Sequence, residues 1–136
     1  MKFDENRPPR RFSVGDEAHI EMKDCGTLSL EPDEQVTLVT NDMAQYDVAR
    51  KDWGFYATPS LNGRLSSFGL RAVLIRNRTT GRYFVLLVEK GKESLFNSYL
   101  TQERCDIVVW LDSTESLDHL RTAMAVPKGE KLADGN

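Results

Sequence analysis

Hydrophobic and polar positions change their spacing several times along this chain, and each change marks a new element. Ala18 to Met22 and Thr27 to Leu30 are short strand-like runs, and Gln35 to Thr40 alternates polar residues with Val36 and Leu38. Cys25-Gly26 and Glu31-Pro32-Asp33-Glu34 supply turn chemistry between these runs, which predicts an antiparallel β meander. After a further turn at Asn41-Asp42, Tyr46 and Val48 share one face of a strand while Asp47, Ala49 and Lys51 share the other.

The spacing then switches to that of a helix. Thr58 is a suitable N-cap, Pro59 fits the first helical position, Leu61, Leu65 and Phe68 fall on one face, and Gly69 suits a left-handed stop. A helix over Pro59 to Phe68 follows. Leu70 to Arg76 and Tyr83 to Glu89 are continuous apolar runs joined by Asn77 to Arg82, a hairpin with Gly81 free to adopt positive φ; both strands read as central. Lys92 to Gln102 carries a helical stripe of Leu95, Phe96, Tyr99 and Leu100, and Asp106 to Leu111 is a last apolar strand containing Trp110. Asp112 and Glu115 begin an amphipathic helix whose Leu117, Leu120 and Met124 share a face.

Strand, helix, strand, strand, helix, strand is the ferredoxin-like βαββαβ order, here preceded by a meander. The expected class is therefore α+β in a single domain, with a small β sandwich or barrel decorated by helices as its rival. Residues 1–15, with Arg7, Pro8, Pro9, Arg10 and Arg11 and little to bury, read as a flexible basic tail; 16–113 form the domain; 114–136 form the short amphipathic helix and a second flexible tail.

Composition narrows the function classes. The 136 residues suit one core, and a net charge of −3 argues against nonspecific binding of nucleic acid or an anionic membrane, which needs a basic field. No apolar run approaches the roughly 20 residues of a membrane helix, and Cys25 and Cys105 stand alone without ligand-spaced partners, so a reduced, cytoplasmic protein is expected. No nucleotide loop, zinc motif or nucleophile elbow is present. His19 and His119 are the only histidines, which makes an imidazole metal site improbable; no metal and no cofactor are expected. The run Thr80 to Leu87 keeps Gly81, Phe84 and Val85 of an RNA-recognition strand, but Arg82 and Leu87 stand where stacking aromatics belong.

Lys51 to Arg64 is the one segment crowded with binding chemistry. Trp53 or Tyr56 offers a flat face for a sugar ring or base, Asp52 and Asn62 offer hydrogen bonds, and Arg64 is suited to a carboxylate or phosphate. The competing structural reading makes Trp53, Phe55 and Tyr56 core aromatics, Gly54 a bulge, and Arg64 a partner of Asp47 or Glu89. Asp52, Trp53, Tyr56, Asn62 and Arg64 are the candidate ligand-binding residues. The expected function is a small binding or accessory module for a polar ligand, sugar-like or anionic. A protein-interaction or structural subunit using the same aromatics and Arg64 is the first alternative, and a cofactor-independent lyase, isomerase or hydrolase using Asp52 or Lys51 is the second, with catalysis the less favoured class. A homodimer would cover the sheet edges that so small a domain exposes.

Overall fold

The run Leu-Arg-Ala-Val-Leu-Ile-Arg-Asn from Leu70 to Asn77 forms a strand buried on both faces, and the remaining elements are placed by what covers it. The computed structural model describes residues 1–125. In chain order the elements are β1 (Lys2–Val14), β2 (Ile20–Ser29), β3 (Gln35–Val39), β4 (Gln45–Lys51), β5 (Gly54–Ala57), α1 (Arg64–Ser67), β6 (Leu70–Asn77), β7 (Tyr83–Glu89), α2 (Glu93–Glu103), β8 (Cys105–Trp110) and α3 (Thr114–Ala123). They make three antiparallel sheets ordered β1-β2, β3-β4-β5 and β7-β6-β8.

Strand periodicity sends Val73 and Ile75 of β6 to one face and Leu70 and Ala72 to the other. Val73 and Ile75 pack with Val88, Cys105 and the α2 residues Phe96 and Leu100, and Trp110 meets Phe96 edge-on at 6.0 Å. Leu70 and Ala72 pack with Leu65 and Ala44, flanked by Tyr46 and Leu111. Arg71 lies over the Trp110 ring at 3.9 Å and bonds Asp112 at 2.7 Å, so its guanidinium ties β6 to the segment leading into α3.

The α+β class is as expected. The ferredoxin-like order is not what the pairing displays: the strand expected before the first helix is β4, a further strand β5 stands between it and α1, and both lie in a different sheet from β6, β7 and β8. Nor are both strands of the β6–β7 hairpin central. Gly81 takes φ +73 in the connecting turn, yet β7 is an edge strand with Tyr83, Phe84 and Val85 exposed.

Within residues 1–15, Lys2–Val14 form a long strand instead of a tail. Their charges pair across the hairpin, with Arg10 meeting Asp24 at 3.2 Å and Arg11 meeting Glu21, and Phe12 faces Met22. The ladder shifts register between Glu5 and Arg10, where Pro8 and Pro9 have no N–H to contribute. Gly26, expected in a turn, sits inside β2; a Cβ there would approach the carbonyl oxygen of Asp4 to 2.4 Å. A two-stranded hairpin is marginal alone, and this one is anchored at its turn. The carboxylate of the buried Glu103 accepts the Asp16 N–H at 2.9 Å and contacts His19 Nε2 at 3.3 Å.

The helix expected over Pro59 to Phe68 is reduced to Arg64–Ser67. Thr58 does not cap it: its N–H donates to the Asp47 carbonyl at 3.0 Å, which extends strand pairing past β5, its Oγ1 bonds none of the amides that follow, and the helix opens only at Arg64. Ser60 takes the capping role from outside the helix, its Oγ accepting the Arg64 N–H at 3.0 Å, and Gly69 supplies the left-handed stop at φ +82. Helix α3 forms with Ser113 as its cap, accepting the Ser116 N–H at 2.9 Å, but Leu120 and Met124 remain exposed. The tail expected in 126–136 lies outside the described residues.

Gly15 carries φ +88, and a Cβ there would sit 2.9 Å from Glu103 Oε1 and 3.0 Å from Ile20 Cδ1. Gly15→Ala should destabilise the protein by about 1–3 kcal/mol through strain and displacement of the anchor; an unchanged midpoint in urea would refute the anchor. Acid should act elsewhere. The Lys92 ammonium at 2.5 Å holds the Asp42 carboxyl below its usual range, and the backbone amides at the start of α2 do the same for Glu93. A carboxylate depressed in the folded state stabilises above its unfolded pKa and loses that effect as pH falls. The thermal midpoint should therefore hold from about pH 7 to 5 and drop below about pH 4, with a shallower drop in Asp42→Asn; identical pH profiles for the two proteins would exclude this pair as a contributor.

Candidate functional site

The β4–β5 turn borders an open concavity. Lys51 pairs with Gly54 in the ladder, leaving Asp52 and Trp53 as the connecting residues, and Gly54 restarts the strand at φ +145. No atom lies within 4 Å of a Cβ built on Gly54, so glycine serves the backbone angle there and not a close packing contact. Trp53 at this tip is 71% exposed and Phe55 is 69% exposed. The expectation that Trp53, Phe55 and Tyr56 are core aromatics is therefore overturned: a two-residue connection carries Trp53 beyond the sheet, and β5 is an edge strand.

A cleft of about 620 Å³ opens between this turn and the end of β2, lined by Leu28, Ser29, Leu30, Arg50 to Gly54 and Phe55. Its far wall is fixed by backbone. Asp33 N–H donates to the Arg50 carbonyl at 2.7 Å, Arg50 N–H donates to Glu34 at 2.9 Å, and the Arg50 guanidinium donates to the Leu30 carbonyl at 3.1 Å. Lys51 Nζ bonds Asp33 at 2.5 Å, and that carboxylate, with Asp52 adding a smaller contribution, raises the Lys51 pKa. Lys51 consequently keeps its proton. It can serve the cleft as a cation and donor, and it is badly placed to act as a base or nucleophile.

The five residues singled out from the sequence occupy three places. Asp52 and Trp53 line the cleft. Tyr56 pairs with Ala49, and strand alternation puts it on the opposite face from Phe55, the face that carries Asp47. Arg64 reaches Asp47 at 3.7 Å and lies over the Phe68 ring at 5.0 Å, which is the structural pairing the sequence offered as an alternative. Asn62 donates to Thr114 Oγ1 at 3.1 Å, joining its loop to the start of α3. Leu28, Ser29, Leu30, Arg50 and Phe55 complete the cleft and were not singled out. Leu28 to Leu30 are brought in because the turn at 31–34 bonds Arg50 of β4; the turn itself is legible in the sequence, its docking on β4 is not.

Other chemistry is confined. Among the described residues, no three His, Cys, Asp or Glu side chains converge as a metal site, and no helix is long and apolar enough to cross a membrane. Cys25 is exposed and Cys105 buried, both unpaired, and burial pushes the Cys105 thiol up, away from thiolate reactivity. Comparison with known protein families, curated proteins and solved structures returns no match.

Asp47 is a buried carboxylate whose best partner is the Thr37 hydroxyl, donating at 2.6 Å. Asp47→Ala removes this charge-assisted hydrogen bond to a buried carboxylate and should cost about 1–3 kcal/mol. Arg64→Ala should cost less than about 1 kcal/mol, since its guanidinium is mostly solvated and 3.7 Å from the carboxylate. Chemical denaturation checks both, and a larger loss for Arg64→Ala would reverse the assignment of which partner matters.

Proposed function

We propose that this protein is a non-catalytic binding module, working in the cytoplasm, that recognises a neutral sugar-like ligand in the cleft between the end of β2 and the β4–β5 turn. The observation that carries this reading is the 71% exposure of Trp53 on the rim of the cleft. A large aromatic left in water by the fold, beside hydrogen-bonding groups, suits the apolar C–H face of a sugar ring. Arg50, Lys51 and Asp52 supply donors and an acceptor around it. Lys51 is paired with Asp33, and Asp52 offsets Arg50, so the cleft has no strong net charge; that favours a neutral ligand over the anionic one. Arg64, the residue best suited to an anion, is engaged with Asp47 outside the cleft. The two unpaired cysteines are compatible with a reducing compartment.

A protein partner is the second reading, favoured by one observation. Phe55 and Tyr56 are exposed on the edge strand β5, next to Trp53, and aromatic residues of this kind dominate protein interfaces. Titration separates the readings. In a Trp110→Phe background the emission of Trp53 should change saturably with neutral oligosaccharides and weakly with sugar phosphates. Trp53→Ala should remove any ligand-dependent thermal shift while leaving the unliganded midpoint within about 0.5 kcal/mol of the parent. A flat response across the panel would end the sugar reading and leave the protein-partner reading to be tried.

A further inference from the structure

The outer edge of β7 is built as a joint. Asn77 N–H donates to the Arg82 carbonyl at 2.8 Å and Lys90 N–H donates to the Gly69 carbonyl at 3.0 Å, so even-numbered positions turn their peptide groups toward β6. Alternation then points the N–H and C=O groups of Tyr83, Val85, Leu87 and Glu89 outward. No strand among the described residues pairs with them. Edges of this kind are ordinarily blunted by Lys, Pro, a bulge or a covering element. Here the strand carries no such residue and only one charge, Glu89 at its end, and its ladder with β6 is continuous. Alongside runs a largely apolar groove of about 360 Å³, lined by Leu86 to Glu89, by Leu95, Phe96 and Tyr99 of α2, and by Lys92, whose ammonium pairs with Asp42 and Glu89. Val85 is 61% exposed and Leu95 70% exposed.

We infer that the occupant of this edge is a second copy of the same chain, paired antiparallel through β7 about a two-fold axis at Leu86. Self-complementarity carries the choice. An axis at Leu86 sets Val85 opposite Leu87 of the second copy and Phe84 opposite its Val88, so every facing pair from 84 to 88 is apolar. Outward-pointing odd positions meet odd positions, the condition for reciprocal hydrogen bonds in an antiparallel pair. Helix α2 lies on the same face of the sheet in both copies, which brings Leu95 and Tyr99 toward their counterparts above the seam. The like-charged pairs in this register, Arg82 against Lys90 at each end of the seam, fall at the rims, where Lys90 already donates to Ser66 Oγ at 2.6 Å. The area is sufficient. Taking an exposed large side chain as presenting on the order of 150–250 Å², the exposed fractions of Tyr83, Phe84, Val85, Leu87, Leu95 and Tyr99 amount to roughly 600 Å² per protomer, or about 1,200 Å² in all, the lower bound for a specific interface.

Light scattering coupled to gel filtration, run on the full chain from about 1 to about 100 μM, tests the inference. The wild type should elute with twice the chain mass of 15.5 kDa. Val85→Lys places a charge on the seam and Leu95→Glu places one on α2; both positions are exposed in the monomer, so far-UV circular dichroism should be unchanged while the dimer weakens about tenfold or more. A wild type that is monomeric at about 100 μM overturns the inference. A dimer that neither variant weakens overturns it equally.

Discussion

Burial of β6 on both faces is the constraint from which the other elements take their places. Val73 and Ile75 are nearly solvent-free on one side and Leu70 and Ala72 on the other, so the strand needs a cover above and below. Helix α2 supplies one through Phe96 and Leu100, and the short α1 with Ala44 supplies the other through Leu65. Because each cover rests on only part of the sheet, apolar residues of β7 that lie beyond it stay in water, including Val85.

The parts legible in the sequence are those whose signal is local and strong. The apolar runs of β6, β7 and β8, the stripe of α2 and the Gly81 turn all appear where periodicity and turn chemistry put them. What was not legible depends on partners far away in the chain. Strand β1 is held by cross-strand pairs such as Arg10 with Asp24 and Phe12 with Met22, and by the Glu103 anchor, none of which a charged N-terminal run announces. The first helix opens late: the chain is still paired with β4 at Thr58, whose amide donates to Asp47 eleven positions earlier, and the first helical amide, of Arg64, is met by Ser60.

The candidate site follows the same division. Asp52 and Trp53 were identified because their residue types are informative wherever they fall. Arg64 and Asn62 have equally suggestive chemistry, but each is committed to a structural partner, Asp47 and Thr114 respectively. The other wall, Leu28 to Leu30, has bland residue types and enters through backbone bonds between the 31–34 turn and β4. Residue type locates the chemistry of a site; tertiary hydrogen bonding decides which residues share it.

The cleft and the proposed β7 joint have no residue in common: one is lined by residues 28–30 and 50–55, the other by residues 83–89 and α2. Association through β7 would therefore leave both clefts of a pair unobstructed by the seam residues themselves. A shallow site with one exposed tryptophan would bind a single unit of the proposed sugar-like ligand weakly, since little of it would leave water. Two such sites in the proposed pair would change that outcome for a ligand with repeated units, because the second contact would become intramolecular and be governed by an effective concentration instead of the bulk one. Pairing at an apolar sheet edge and recognition at a polar turn would then be complementary, the first supplying the avidity that the second lacks.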